Sequence, residues 1–305
     1  MYQIAHQVYK RTFKHSKRLH AATYKLTQKW VLPCVEACLG FRTPVEDPLS
    51  LRFELVLGSY ESETTKLIKR ILQPGMTVLD VGAHVGYYTQ LFSKLAGASG
   101  RVIAFEPHPR TFEILRRNTS GLDNVTLVNE ALLDSNGAAV LYDSQPDCGS
   151  SALQPDESKR DYYQEILLNR ELAPRVLNGL PLSTYPARTR TLDSFLNDTG
   201  IASVDLVKMD IEGAEIKALQ GMTQTIRSSR KLYLVIEFNP SALKAFGIEA
   251  EQAFYDLRKH GFTSIRVIGE RGGLVEIGER AGMEKLAAQL SSAYARVNLL
   301  CEKVV

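Results

Sequence analysis

Short apolar runs alternate with amphipathic stretches along most of the chain. Lys66-Leu-Ile-Lys-Arg-Ile-Leu72 repeats its apolar residues at helical spacing, and Ser62 before it reads as an N-cap with Glu63 and Thr65 in the first turn. Pro74-Gly75 ends that helix. Val78 to Val81 is an apolar run carrying one acid, Asp80, and reads as a buried strand. A helix from Tyr87 to about Leu95 and a turn at Gly97 and Gly100 lead to a second strand from Arg101, closed by Glu106, Pro107 and Pro109. A helix from Pro109 to Asn118 precedes a strand over Asn124–Ala131, a turn at Asp134–Gly137 and a short strand at Ala138–Tyr142.

Beyond residue 190 the order repeats. Arg190–Leu196 opens a helix, Val204–Asp210 is an apolar strand containing Lys208, and Ile211–Gly221 is a turn and helix. Leu232–Phe238 is a strand, Ala250–Lys259 a helix, and Phe262–Ile268 and Ala295–Val304 the last two strands, with a hairpin piece at Leu274–Ile277 between them. Strands alternating with helices predict an α/β fold, a doubly wound, mostly parallel sheet with helices on both faces. Residues 143–190 do not follow the alternation and read as an insertion, a lid or substrate wall over the sheet.

Charge divides the chain. Residues 1–35 hold seven lysines and arginines and no acid, so the remainder is net negative although the whole chain is +3. Residues 1–50 therefore read as a basic helical N-terminal extension, with Pro44 and Pro48 marking the linker, and residues 51–305 as the folded domain. The arm is read first as a solvated segment, with docking on an anionic membrane surface or a protein partner as the second reading. A net-negative core disfavours nucleic acid as a partner. Cys34, Cys38, Cys148 and Cys301 form no C-x-x-C pair and read as reduced thiols, which places the protein in the cytoplasm. The one-turn spacing of Cys34 and Cys38 allows both to face a core. No run of about 18 apolar residues predicts a transmembrane helix.

The chemistry starts at Asp80-Val-Gly-Ala-His-Val-Gly86, an apolar strand running into a glycine loop and then a helix. Glycine allows positive φ and lets a ligand approach bare backbone. The spacing is shorter than the dinucleotide fingerprint G-x-G-x-x-G, which disfavours a nicotinamide enzyme, and no P-loop lysine follows. The form points to S-adenosylmethionine. Glu106 closes the next strand, where a carboxylate accepts the ribose hydroxyls of a bound nucleoside. Asp80, Glu106, Asp210 and Glu237 all fall at strand ends, where ligands bind in open α/β sheets.

These residues resemble the FkbM-type methyltransferases. The resemblance covers roughly residues 55–270. It runs through Leu57-Gly-Ser-Tyr-Glu61, the Asp80–Tyr88 loop, Phe105-Glu-Pro107, Val128–Leu132, Gly149-Ser-Ser151, Thr191-Leu-Asp193, Lys208-Met-Asp-Ile-Glu-Gly-Ala-Glu215 and Ile236-Glu237. It implies a Rossmann-like, class I methyltransferase fold with a seven-stranded sheet and S-adenosylmethionine as cofactor. It also implies cofactor contacts from Glu61, Asp80, Gly82, His84, Gly86, Glu106, Asn129 and Asp210. Two positions depart from the family: His84 stands where Asn is common, and Asn239 where a histidine is common.

The implied reaction is methyl transfer to a hydroxyl of a sugar, glycan or secondary metabolite. A hydroxyl acceptor needs a base, and Asp210, Glu212 and Glu237 are the catalytic candidates, with His108 behind them. Asp210 and Glu212 suit magnesium, but no further ligand completes a set nearby, so no metal is expected. The alternative function is a non-catalytic nucleotide-binding or scaffold module that docks through the basic arm.

Overall fold

The computed structural model describes residues 25–45, 47–143, 152–153, 183–269, 273–290 and 295–304. Most of the basic arm, most of the insertion and the Gly149-Ser-Ser151 piece lie outside the described residues. A π-helical turn, Thr27–Val31, runs into α1 (Leu32–Leu39), followed by α2 (Leu49–Val56), α3 (Ser62–Ile71) and β1 (Thr77–Val81). Then α4 (Tyr87–Ala96), β2 (Arg101–Phe105), α5 (Pro109–Asn118) and β3 (Val125–Val128) complete the first half. Short strands β4 (Ala131–Leu132), β5 (Gly137–Asp143) and β6 (Ser183–Arg190) precede α6 (Leu192–Thr199) and β7 (Leu206–Met209). The second half continues with α7 (Glu215–Gln220), α8 (Thr223–Ser228), β8 (Lys231–Phe238), α9 (Pro240–Ala245) and α10 (Ala250–Lys259). It ends with β9 (Ser264–Ile268), β10 (Leu274–Glu276), α11 (Arg280–Gln289) and β11 (Val297–Val304).

The main sheet has the order β10-β9-β11-β8-β7-β1-β2-β3. The five strands from β8 to β3 pair in parallel. β11, β9 and β10 continue the sheet antiparallel. The eighth strand, β10, is the addition to the seven expected, a three-residue edge on β9. From β1 the chain moves outward to β2 and β3, then crosses back to β7 on the other side. This change of direction opens a crevice at the carboxyl ends of β1 and β7.

β1 is apolar on both faces because both are covered. Val78 packs with Tyr88, Phe92 and Ala96 on one side, while Leu79 and Val81 join the larger core with Val207, Met209 and Ile236 on the other. A second sheet, β4-β6-β5, flanks the first. β5 and β6 pair antiparallel from Gly137↔Thr189 to Asp143↔Ser183, so the last residues of the expected insertion are a strand.

Two local expectations are corrected, and one element was not anticipated. Ser62 is the first residue inside α3, and Glu61 holds the cap position at φ 42° with its carbonyl accepting from Thr65 N–H. Cys34 and Cys38 are exposed, because Leu32 and Glu36 occupy the inward face of α1. Leu49–Val56 alternates apolar and polar residues, yet forms α2 with Arg52 fully buried. Arg52 Nη2 donates to Glu36 Oε1 at 3.0 Å and Arg52 Nε to Thr43 Oγ1 at 2.7 Å, while the Thr43 hydroxyl donates to Glu36. This network and the packing of Leu32 and Phe41 with Val85 dock residues 32–56 on the sheet domain.

Candidate active site

Asp80 on β1 is in register with Lys208 on β7, so the two strands leave the sheet together. Gly82 permits the close exit. A Cβ there would lie 1.9 Å from the Asp210 carbonyl oxygen, and φ is +81°. His84 adopts φ 50° in spite of its side chain, and its N–H donates to Glu106 Oε2 at 2.9 Å. Its ring Nε2 lies 3.5 Å from the buried Asp47 carboxylate. Gly86 starts α4, where a Cβ would meet Leu115 at 2.7 Å.

His108 N–H donates to the other Glu106 oxygen, Oε1, at 2.9 Å. Each carboxylate oxygen therefore holds one amide and retains a second acceptor direction. Burial pushes Glu106 up to about 7, against the pull of those two amides. Asn129, exposed, donates to the Glu106 and Pro107 carbonyl oxygens at 2.7 and 3.1 Å and so fixes the loop after β2. His108 caps α5, its Nδ1 accepting from Thr111 N–H, and its ring meets Tyr185 at 4.5 Å.

On the β7 side, Lys208 Nζ lies 3.1 Å from Asp210 Oδ2 and 4.6 Å from the Tyr88 ring centre. Burial opposes the lysine charge, but Asp210, Glu61 and Asp80 around it outweigh burial and hold it protonated. Burial likewise pushes Asp210 up, and Lys208 and Arg296 together bring it below the usual carboxylate range. Asp80 is lifted by burial to about 6, against Lys208 and the 2.6 Å hydrogen bond from the Thr89 hydroxyl. Tyr88 OH donates to Glu61 Oε2 at 2.8 Å.

The segment after Asp210 is anchored by hydrogen bonds to one carboxylate. Glu215 Oε1 accepts from Ile211 and Gly213 N–H at 2.9 and 3.2 Å, and burial raises Glu215 to about 7. Glu212 holds φ 57°, a strained value of the kind found at functional sites. A Cβ on Gly213 would meet the Ala242 carbonyl oxygen at 2.4 Å.

Two lobes open above these residues. One is bordered by Glu106, Pro107, His108, Leu132 and Leu141. The other is bordered by Tyr60, Asp80, Tyr88, Lys208 and Arg296. Gly82, His84, Asp210 and Glu212 line both and form the waist of one cleft.

Of the residues expected at the site, the cleft brings together Asp80, Gly82, His84, Glu106, Asp210 and Glu212. Gly86, Asn129 and Glu61 do not line the two lobes: Gly86 caps α4, Asn129 holds the Glu106 and Pro107 carbonyls, and Glu61 accepts from Tyr88. Glu237 is buried beneath Arg296, whose Nε is 3.1 Å from its Oε1. Burial and the nearby Asp210 charge drive the Glu237 carboxyl well above its usual range, against Arg296. Asn239 caps α9, accepting from Ser241 and Ala242 N–H.

Tyr60, Tyr88 and Arg296 were not expected at the cleft. Tyr60 and Tyr88 stand in the Leu57–Glu61 and Asp80–Tyr88 pieces of the resemblance, which were the available signal, whereas Arg296 had none because it arrives from the far end of the chain. Among the described residues, no three His, Cys, Asp or Glu side chains are arranged to hold a metal ion.

A family model described as Methyltransferase FkbM domain matches residues 80–264, a span containing Gly82, Glu106, Asp210 and Glu212. Over 174 residues the chain is 26% identical to the 2-O-methyltransferase NoeI of Sinorhizobium fredii, covering 55% of this chain and 66% of that protein. Over 159 residues it is 30% identical to the 31-O-demethyl-FK506 methyltransferase FkbM of Streptomyces tacrolimicus, covering 50% and 61%. The chain thus spans less than two thirds of the length of either relative. A solved methyltransferase FkbM from Methylobacillus flagellatus aligns with a TM-score of 0.39 at 12% identity, covering 88% of this chain and 57% of that one.

Proposed function

The chain belongs to the FkbM methyltransferase family, and we propose that it is an S-adenosylmethionine-dependent O-methyltransferase acting on a hydroxyl of a sugar, glycan or secondary metabolite. One observation carries the reading: a lobe bordered by Glu106 and apolar side chains and a lobe lined by acids and two cations meet at Gly82, where strand ends and bare backbone coincide. Both relatives are named for action at oxygen, which supports an oxygen acceptor here.

The residues fit the cofactor. Glu106, oriented by two amides, has two acceptor directions left for two ribose hydroxyls. Leu132 and Leu141 offer an apolar wall in the same lobe. The second lobe suits an amino-acid end: Lys208 and Arg296 would hold its carboxylate, and Asp210, held ionised, would take its positive charge. When bound, S-adenosylmethionine supplies a methyl group activated on a positively charged sulfur. Gly82, His84 and the segment after Asp210 hold both reactants at the waist and exclude water. Glu212 lines both lobes there and would take the acceptor hydroxyl proton as the S–C bond breaks and the O–C bond forms.

Calorimetric titration with S-adenosylhomocysteine tests the cofactor, and mass spectrometry of sugar and polyol acceptors tests the reaction. The expected result is binding and a product one methylene heavier. Absence of cofactor binding sinks the reading. Product methylated at nitrogen or carbon sinks the oxygen assignment.

A further inference from the structure

The helix from Thr27 to Leu39 buries one face against the domain through Leu32 and Glu36. Its other face is unlike that of a surface helix. From Trp30 to Gly40 the exposed residues are Trp30, Val31, Cys34, Ala37, Cys38, Leu39 and Gly40, and the one charged residue in that interval, Glu36, is buried on Arg52. Leu26 and Trp30, one turn apart, are 58% and 60% exposed, and Leu39 is 56% exposed. An exposed helix ordinarily presents charged residues on the face away from its core.

Charge identifies what would cover such a face. The basic residues of the first 35 positions end with Lys25 and Lys29, both exposed at the start of this helix, and those 35 positions hold no acid. Lys29 Nζ lies 5.5 Å from the Trp30 ring centre, which places cation and aromatic ring together. Tryptophan with aliphatic residues on one face and lysines beside it is the composition of helices that lie in the headgroup layer of anionic bilayers. A second copy is disfavoured as the occupant, because each copy would bring the same seven positive charges. No helix among the described residues is long and apolar enough to cross a membrane, so the contact is peripheral.

We propose that the exposed face of the Thr27–Leu39 helix, with Lys25 and Lys29 at its start, docks this protein on an anionic lipid surface. Trp30, Leu26 and Val31 enter the headgroup layer, and Lys25 and Lys29 pair with lipid phosphate and carboxylate.

Trp30 is the single tryptophan of the chain, so tryptophan emission reports this face alone. The full chain is mixed with phosphatidylcholine vesicles with or without phosphatidylserine. The expected result is a blue shift and co-sedimentation on the serine-containing vesicles only, both reversed by salt at about 1 M, where charges are screened within about 3 Å. Leu26→Glu with Val31→Glu, at exposed positions, lowers partitioning by at least tenfold and leaves the far-ultraviolet dichroism unchanged. Emission that does not respond to anionic vesicles overturns the proposal. So does emission already blue and shielded from acrylamide in the free protein, which means that another segment of the chain or a second copy covers the face; size-exclusion chromatography distinguishes those two.

Discussion

Replacing Gly82 by alanine puts a methyl carbon 1.9 Å from the Asp210 carbonyl oxygen and 3.0 Å from Ile211 Cγ2. The first obstacle is backbone, so no side-chain rotation relieves it, and the ends of β1 and β7 must separate. The positive φ adds strain of about 1–2 kcal/mol, and overpacking adds about 1–3 kcal/mol. Gly200 isolates the first contribution, because it has φ +68° and nothing within 4 Å of a built Cβ. Urea unfolding is therefore expected to show Gly82→Ala destabilised by about 2–5 kcal/mol and Gly200→Ala by about 1–2 kcal/mol. Gly82 and Asp210 line both lobes, so folded Gly82→Ala also binds S-adenosylhomocysteine at least tenfold more weakly by calorimetry, about 1.4 kcal/mol. Gly200→Ala keeps the parental affinity. Equal destabilisation of the two variants, or unchanged affinity in Gly82→Ala, refutes the view that this close approach sets the cleft floor.

Asp80, Glu106 and Glu215, raised to about 6, 7 and 7 from ordinary values of 3.8 and 4.5, bind protons more tightly folded than unfolded. Their contribution to stability is complete below those ordinary values and is lost as pH rises through about 6–7, so urea midpoints of the ligand-free protein decline over that range and Glu106→Gln shows a shallower decline. The same deprotonation frees Glu106 to accept two hydroxyls, so cofactor affinity measured by calorimetry rises across about pH 6–8 in the parent and is flat in Glu106→Gln. Arg52→Ala strands Glu36 as a buried unpaired charge and costs about 3–5 kcal/mol in urea unfolding, whereas Arg52→Met with Glu36→Leu recovers most of the loss; equal losses in both variants contradict a charge origin. Glu212→Gln is expected to lower the turnover rate by about 100-fold or more with cofactor affinity intact, and a rate within a few-fold of the parent removes Glu212 as the base.

Local patterns were legible where a single element carries its own signal. The Asp80–Gly86 loop, the Pro109–Asn118 helix and the Ala250–Lys259 helix stand where their residues placed them, because glycine, proline and apolar spacing act over a few positions. Acids at strand ends identified Asp80, Glu106 and Asp210 for the cleft for the same reason. Leu49–Val56 carried no reading of its own in the sequence, and its helix is docked because Arg52 finds Glu36 and Thr43 outside it. The inward positions of α1 were likewise decided by a partner, with Glu36 taking the buried place open to Cys34 or Cys38.

The division follows the range of the forces. Residue order by itself determined the alternation of strands and helices, the glycine turn and the acids that end the strands, since each depends on backbone conformation and near neighbours. The closing of β1 against β7 at Gly82, the Lys208–Asp210 pair beside Tyr88, and Arg296 over Glu237 depended on segments brought together across the sheet. Contacts of that kind are written by packing between distant parts of the chain, and only the tertiary structure decides them.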